Sequence, residues 1–101
     1  MAMGVPSISD AIVIWTGKGE ARSPRRDDEL LIRRFGAAST LEVIPAVHRL
    51  YDEFYESDAR QTAHDLVEMG SEAADRFRQL HPEIEEAAVD AFIWCYTYDY
   101  K

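Results

Sequence analysis

The sequence predicts an all-α domain: a small helical bundle of three long helices, with one or two short helices before them. Three observations predict it. Residues 59–80 carry a stripe of small and apolar residues (Ala59, Ala63, Leu66, Gly70, Ala73, Phe77, Leu80) whose steps of four and three follow one helix face. Residues suited to start a helix precede each apolar segment, at Ser7, Asp27 or Asp28, Ser39, and Ser57 or Asp58. Residues suited to end one follow, at Gly36 and at His81-Pro82. An α+β alternative turns on two short segments, about 11–15 and 92–100, which also suit strands.

Residues 1–6 are expected to be disordered. Ser7 and Asp10 have capping-box character, and Ile8, Ala11, Ile12 and Trp15 follow at helical spacing. The run Ala-Ile-Val-Ile-Trp is also β-branched enough for a buried strand, and so short a run is not resolved by periodicity. A short helix is the favoured reading. Residues 16–27 form a basic loop, because Gly17, Gly19, Ser23 and Pro24 disfavour regular structure. Asp27 or Asp28 then caps a helix over Glu29 to Phe35, with Leu31 and Phe35 on its apolar side.

Ser39 and Glu42 read as a second capping box. The long helix after it has its seam at Val43, Val47, Leu50 and Phe54, widened by Ile44, Tyr51 and Tyr55. Pro45 kinks this helix or marks its true start. The stripe over 59–80 predicts one continuous helix, with Gly70-Ser71 as the only candidate break. Pro82 suits the first position of the last helix, whose seam runs Ile84, Ala88, Ala91, Cys95 and Tyr98. Within it Phe92, Trp94, Tyr96, Tyr98 and Tyr100 alternate, which is also a strand pattern. Helix is favoured there, on the strength of the capping and length upstream.

The 101 residues make one domain, 47% hydrophobic and 30% charged, which argues against disorder. The longest apolar run is far shorter than a membrane span, and no secretory signal is visible. The single cysteine, Cys95, excludes an intrachain disulfide and a cysteine-based zinc site. A cytoplasmic setting is the expectation. The net charge of −8 argues against direct nucleic-acid binding. Charge is also uneven: residues 1–35 hold six basic and five acidic side chains, residues 36–101 five and fourteen.

Candidate chemistry is sparse. His48 and Asp52, and His64 and Glu68, each set a histidine and a carboxylate one helical turn apart. Inward-facing pairs of this kind build metal sites in bundles. Both pairs lie off the apolar seams, so they read as solvent-facing polar pairs; no metal or cofactor is expected. Thr16-Gly17-Lys18-Gly19 lacks the spacing of a phosphate-binding loop. The basic loop could hold an anion or dock on an acidic surface, and Ser23-Pro24 could accept a phosphate. Cys95, on a seam among aromatics, reads as a small buried hydrophobe.

The aromatic tail from Phe92 to Tyr100 exceeds what one face of a short helix buries. Tyrosine and tryptophan are favoured at interfaces. The expected function is therefore a non-enzymatic acidic protein-binding module. An immunity- or inhibitor-type protein of bacterial origin, neutralising a toxin or other nucleic-acid-acting partner with a basic cleft, fits best. Its expected contact surface is Asp52, Glu53, Glu56, Asp65 and Glu68, with Tyr51 and Tyr55 as anchors. One alternative is a homo-oligomer, such as a homo-dimer, joined through the small-residue helix and the aromatic tail. The other is a metal protein or enzyme using the histidine–carboxylate pairs.

Overall fold

The computed structural model describes residues 7–101, and the start at 1–6, expected to be disordered, lies outside them. Seven helices follow in order: α1 (Ile8–Thr16), α2 (Asp28–Phe35), α3 (Ala37–Thr40), α4 (Val43–Tyr55), α5 (Ala59–Thr62), α6 (Leu66–Leu80) and α7 (Glu86–Tyr100). There is no strand among the described residues. The all-α reading holds: α4, α6 and α7 are the three long helices, α1 and α2 the two short ones expected before them, and α3 and α5 are additional four-residue helices.

The α1 start is as expected, since Ser7 Oγ accepts the Asp10 amide at 3.1 Å. Asp27 caps α2 through the Glu29 amide, and Gly36 at φ +84° closes it. The α+β alternative is excluded at both of its segments. Residues 11–15 lie within α1 and 92–100 within α7.

Three boundaries differ from expectation. The Ser39–Glu42 capping box does not form: Ser39 lies inside α3, and Glu42 flanks α4 without a side-chain cap. Pro45 is the third residue of α4, where its missing N–H removes no helix bond. The continuous helix expected over 59–80 is two helices. Ala63 is extended, at ψ 151°, and Asp65 caps α6 by accepting the Glu68 amide at 2.8 Å. Glu68 in turn accepts the His64 amide at 3.3 Å, one residue before the N-cap, a variant of the capping box. The break falls there, not at Gly70-Ser71. Finally, α7 starts at Glu86, so Pro82 sits in a turn rather than at the first helical position.

α6 and α7 form an antiparallel hairpin. Arg78 meets Glu86 at one end. Further along, a Cβ placed on Gly70 would lie 3.0 Å from Ile93 and 3.1 Å from Thr97, so glycine permits this close approach. α1 and α4 cover the other side of α7. Ser9 Oγ accepts the Glu85 amide at 3.0 Å, and the Phe92 ring packs against Tyr51, Phe54 and Phe77. Ile12, Leu31, Val47, Phe54, Phe77 and Phe92 are fully buried in this core. Leu66 and Leu80, assigned to the seam by their spacing, are instead 39% and 52% exposed. Met69 and Ala74 are buried in α6 beside Ala73 and Phe77.

Candidate functional site

Four of the five alternating aromatics of the tail separate into two pairs four residues apart, and the fifth, Tyr100, packs at the helix end against Tyr55 and Tyr96. Phe92 and Tyr96 face the core and are fully buried. Trp94 and Tyr98 lie on the other flank of α7, half-buried and 40% exposed. Each pair belongs to a different surface.

On the inner side, α7 meets α4, α1 and the basic loop. Trp15 Nε1 donates to Asp28 Oδ1 at 2.8 Å, and His48 Nε2 lies 2.7 Å from the same oxygen. Partial burial pushes the Asp28 carboxyl up, but the bonds from His48 and Trp15 outweigh this and hold it below the usual aspartate value. The Trp15 ring meets Tyr51 edge-on at 5.1 Å. Arg26 then donates to the Tyr51 hydroxyl at 3.0 Å and pairs with Asp99. The Tyr55 hydroxyl also donates to Asp99. Burial and that bond keep Tyr55 protonated far above the ordinary tyrosine range. Burial works against the Arg26 charge, yet its bonds to Asp99 and Tyr51 raise its pKa overall.

This seam anchors the loop. Arg26 has φ +51°, uncommon for a residue other than glycine. The Arg25 and Asp27 amides donate back to Thr16 and Trp15 carbonyls at the end of α1. Gly17, at φ +80°, makes the turn; a Cβ there would strike Arg25 Cγ at 2.8 Å. The loop is therefore folded onto the bundle.

On the outer side, α6 and α7 enclose a groove of about 660 Å³. Ser71, Ala74 and Thr97 line it as small residues, while Leu66, Val67, Ile93, Trp94 and Tyr98 are its large apolar ones. Val67 is 83% exposed. Arg22 from the basic loop, Arg78 and Lys101 also line the groove, and no Asp or Glu does. Arg78 is paired with Glu86 and Asp75. Arg22 and Lys101 make no ion pair among the described residues; Lys101 Nζ lies 4.4 Å from the Tyr98 ring centre.

The residues singled out in the sequence are dispersed. Tyr51 and Tyr55 are half-buried in the inner seam with their hydroxyls engaged, so they are not free anchors. Asp52 and Glu56 are exposed on α4. Glu53 lies 3.2 Å from His81 Nε2, at ion-pair distance but without hydrogen-bond alignment. Asp65 and Glu68 form the cap of α6. The Glu53 carbonyl meets Arg76 on that same helix, eleven positions beyond Asp65, about 16 Å along the axis. The acidic residues thus do not form one cluster.

The proposed histidine–carboxylate pairs do not arise as drawn. His48 is bound to Asp28 rather than Asp52. His64 lies outside any helix, so it is not a turn away from Glu68 on a helix face. No group of three or more metal-ligating side chains converges among the described residues. Cys95 is buried, and burial pushes its thiol up to about 12, which makes it a poor nucleophile. No helix among the described residues is long and apolar enough to cross a membrane.

The groove residues Leu66, Val67, Arg22 and Lys101 were not legible as a site. The small-residue helix, the surplus of aromatics in the tail and the basic loop each pointed toward this face, but not to their meeting in one groove. Comparison with protein-family models, with curated proteins and with solved structures finds no match.

Proposed function

We propose that this chain is a non-enzymatic protein-binding module that presents the outer face of the α6–α7 hairpin to its partner. The observation that carries this reading is the exposure of Leu66, Val67 and Tyr98 around one groove. A helix apolar on all sides is normally a buried helix. α7 has Phe92 and Tyr96 against the core and Trp94 and Tyr98 on the open side. Aromatic side chains grouped at a concave apolar surface are the usual anchors of protein interfaces.

A second reading keeps the acidic surface of an immunity- or inhibitor-type protein facing a basic partner. Asp52 and Glu56 favour it: both are exposed and neither makes an ion pair among the described residues. Charge reversal at these two positions slows association with a basic partner, more so at low salt.

Site-specific photo-crosslinking in the source cells separates the readings. A photoreactive side chain at Val67 is expected to give a discrete protein adduct, and one at Asp52 none. Adducts from Asp52 alone move the interface to the acidic surface. An adduct of the chain with itself establishes the homo-oligomer. No adduct from either position overturns the binding-module reading.

A further inference from the structure

We infer that the occupant of the α6–α7 groove is an acidic amphipathic helix of a partner protein, about three turns long. This rests on the reading of that face as a protein-binding surface and adds the chemistry of what binds there.

Shape gives the first argument. The groove runs between two antiparallel helices, small at Ser71 and Ala74 and large at Val67 and Trp94. A helix laid in such a groove inserts anchors spaced at three and four residues. Along α6 the lining extends from Leu66 to Arg78. Twelve residues rise about 18 Å, which matches a partner helix of about three turns.

Charge gives the second argument. In a chain of net charge −8, this lining holds three cationic side chains and no Asp or Glu. Arg78 is already neutralised by Glu86 and Asp75. Arg22 and Lys101 have no ionic partner among the described residues. Arg22 is carried to the groove by the loop that Arg26 anchors. The complement of two free cations beside an apolar channel is a helix with carboxylates flanking its apolar stripe.

Two other occupants fit less well. A second copy docked groove to groove brings two sets of Arg22 and Lys101 into one interface whose lining has no Asp or Glu side chain to pair them. A lipid surface calls for apolar residues on an outward face lying in the membrane plane, whereas these side chains line a concavity.

The test is a display library of helices of about 14 residues. Each helix carries a fixed leucine stripe at three- and four-residue spacing. The flanking positions are drawn equally from Glu, Lys, Gln and Ala. The library is panned on the full chain, on Val67→Glu, and on an Arg22→Glu/Lys101→Glu variant; all three positions are exposed, so folding is preserved. Retained helices are expected to favour Glu over Lys, with individual affinities shifted about two- to tenfold by the charge contacts. Val67→Glu is expected to weaken retained helices about tenfold or more. The double variant is expected to reverse the preference toward Lys.

Retention without acidic preference, or a preference unmoved by the double variant, overturns the inference. So does failure to retain any helix. Binding to phosphatidylglycerol vesicles that Val67→Glu abolishes, with no helix retained, assigns the groove to lipid instead. A Val67 crosslink to a protein combined with no acidic preference removes this inference and leaves the binding face standing. Absence of that crosslink removes both.

Discussion

The two faces of α7 use the same kinds of side chain to different ends. Phe92 and Tyr96 face inward against α1 and α4, and the one polar tip of the pair is bonded: the Tyr96 hydroxyl donates to the Ser57 carbonyl at 3.4 Å. Trp94 and Tyr98 face outward across a groove that nothing in the described chain fills. An aromatic stripe is therefore not in itself a core or an interface. What decides is whether the fold supplies a cover. On the inner face α1 and α4 supply it; on the outer face α6 lies alongside and leaves a channel.

The largest effect is expected from removing the inner cover. Phe54 is fully buried and touches the rings of Phe77, Phe92 and Tyr96. Phe54→Ala is expected to destabilise by about 3–5 kcal/mol, through lost burial and the cavity left behind. Denaturant titration measures it. A loss below about 1 kcal/mol would mean that the inner face is as loosely covered as the outer one.

The polar rim of the inner face comes next. Asp99 accepts from both Arg26 and Tyr55 and so ties the loop and α4 to the end of α7. Asp99→Ala leaves both donors without this acceptor. Its side chain is 26% exposed, so water replaces part of the bonding. A loss of about 1–2 kcal/mol is expected. Amide hydrogen exchange at Arg25 and Asp27, whose amides close the loop, should quicken in the same variant. Unchanged exchange there would show that the backbone bonds alone hold the loop.

Most of the inner face was legible in the sequence, because burial there follows helical periodicity. Val43, Val47, Leu50 and Phe54 sit where their spacing puts them. The break at 63–65 was hidden by the same method. A seam of small residues stays in phase across it, and the decisive signal was polar: Asp65 and Glu68 form a capping box that a count of apolar positions passes over. The outer groove was hidden for a related reason. Leu66 and Tyr98 fall on seam positions, so spacing assigns them to the core, and only the packing of α6 against α7 shows them uncovered. Arg22 reaches the groove from a distant loop, a placement no local pattern carries.

A smaller and pH-dependent effect is expected where the inner seam meets α2. The folded Asp28 carboxyl titrates below its unfolded value of about 3.9. Its contribution is therefore present above about pH 4 and is lost as pH falls through the lower folded value. The side chain is 42% exposed, which keeps the contribution under about 1 kcal/mol. Thermal midpoints of the native chain and Asp28→Asn should differ at pH 6 and converge as the pH drops toward 3. A constant gap across that range would mean that the Trp15 and His48 contacts do not depend on the carboxylate charge.

The smallest effect on stability is expected on the outer face. Val67 is 83% exposed, so Val67→Glu removes almost no buried area and should change stability by less than about 0.5 kcal/mol. The same substitution puts a carboxylate beside a channel lined by no Asp or Glu, and should weaken partner binding about tenfold or more. That pairing of unchanged unfolding with weakened binding sets the outer face apart from the inner one. If Val67→Glu instead destabilised the chain as a core substitution does, the groove would be closed in solution by the chain itself, and both faces of α7 would be core.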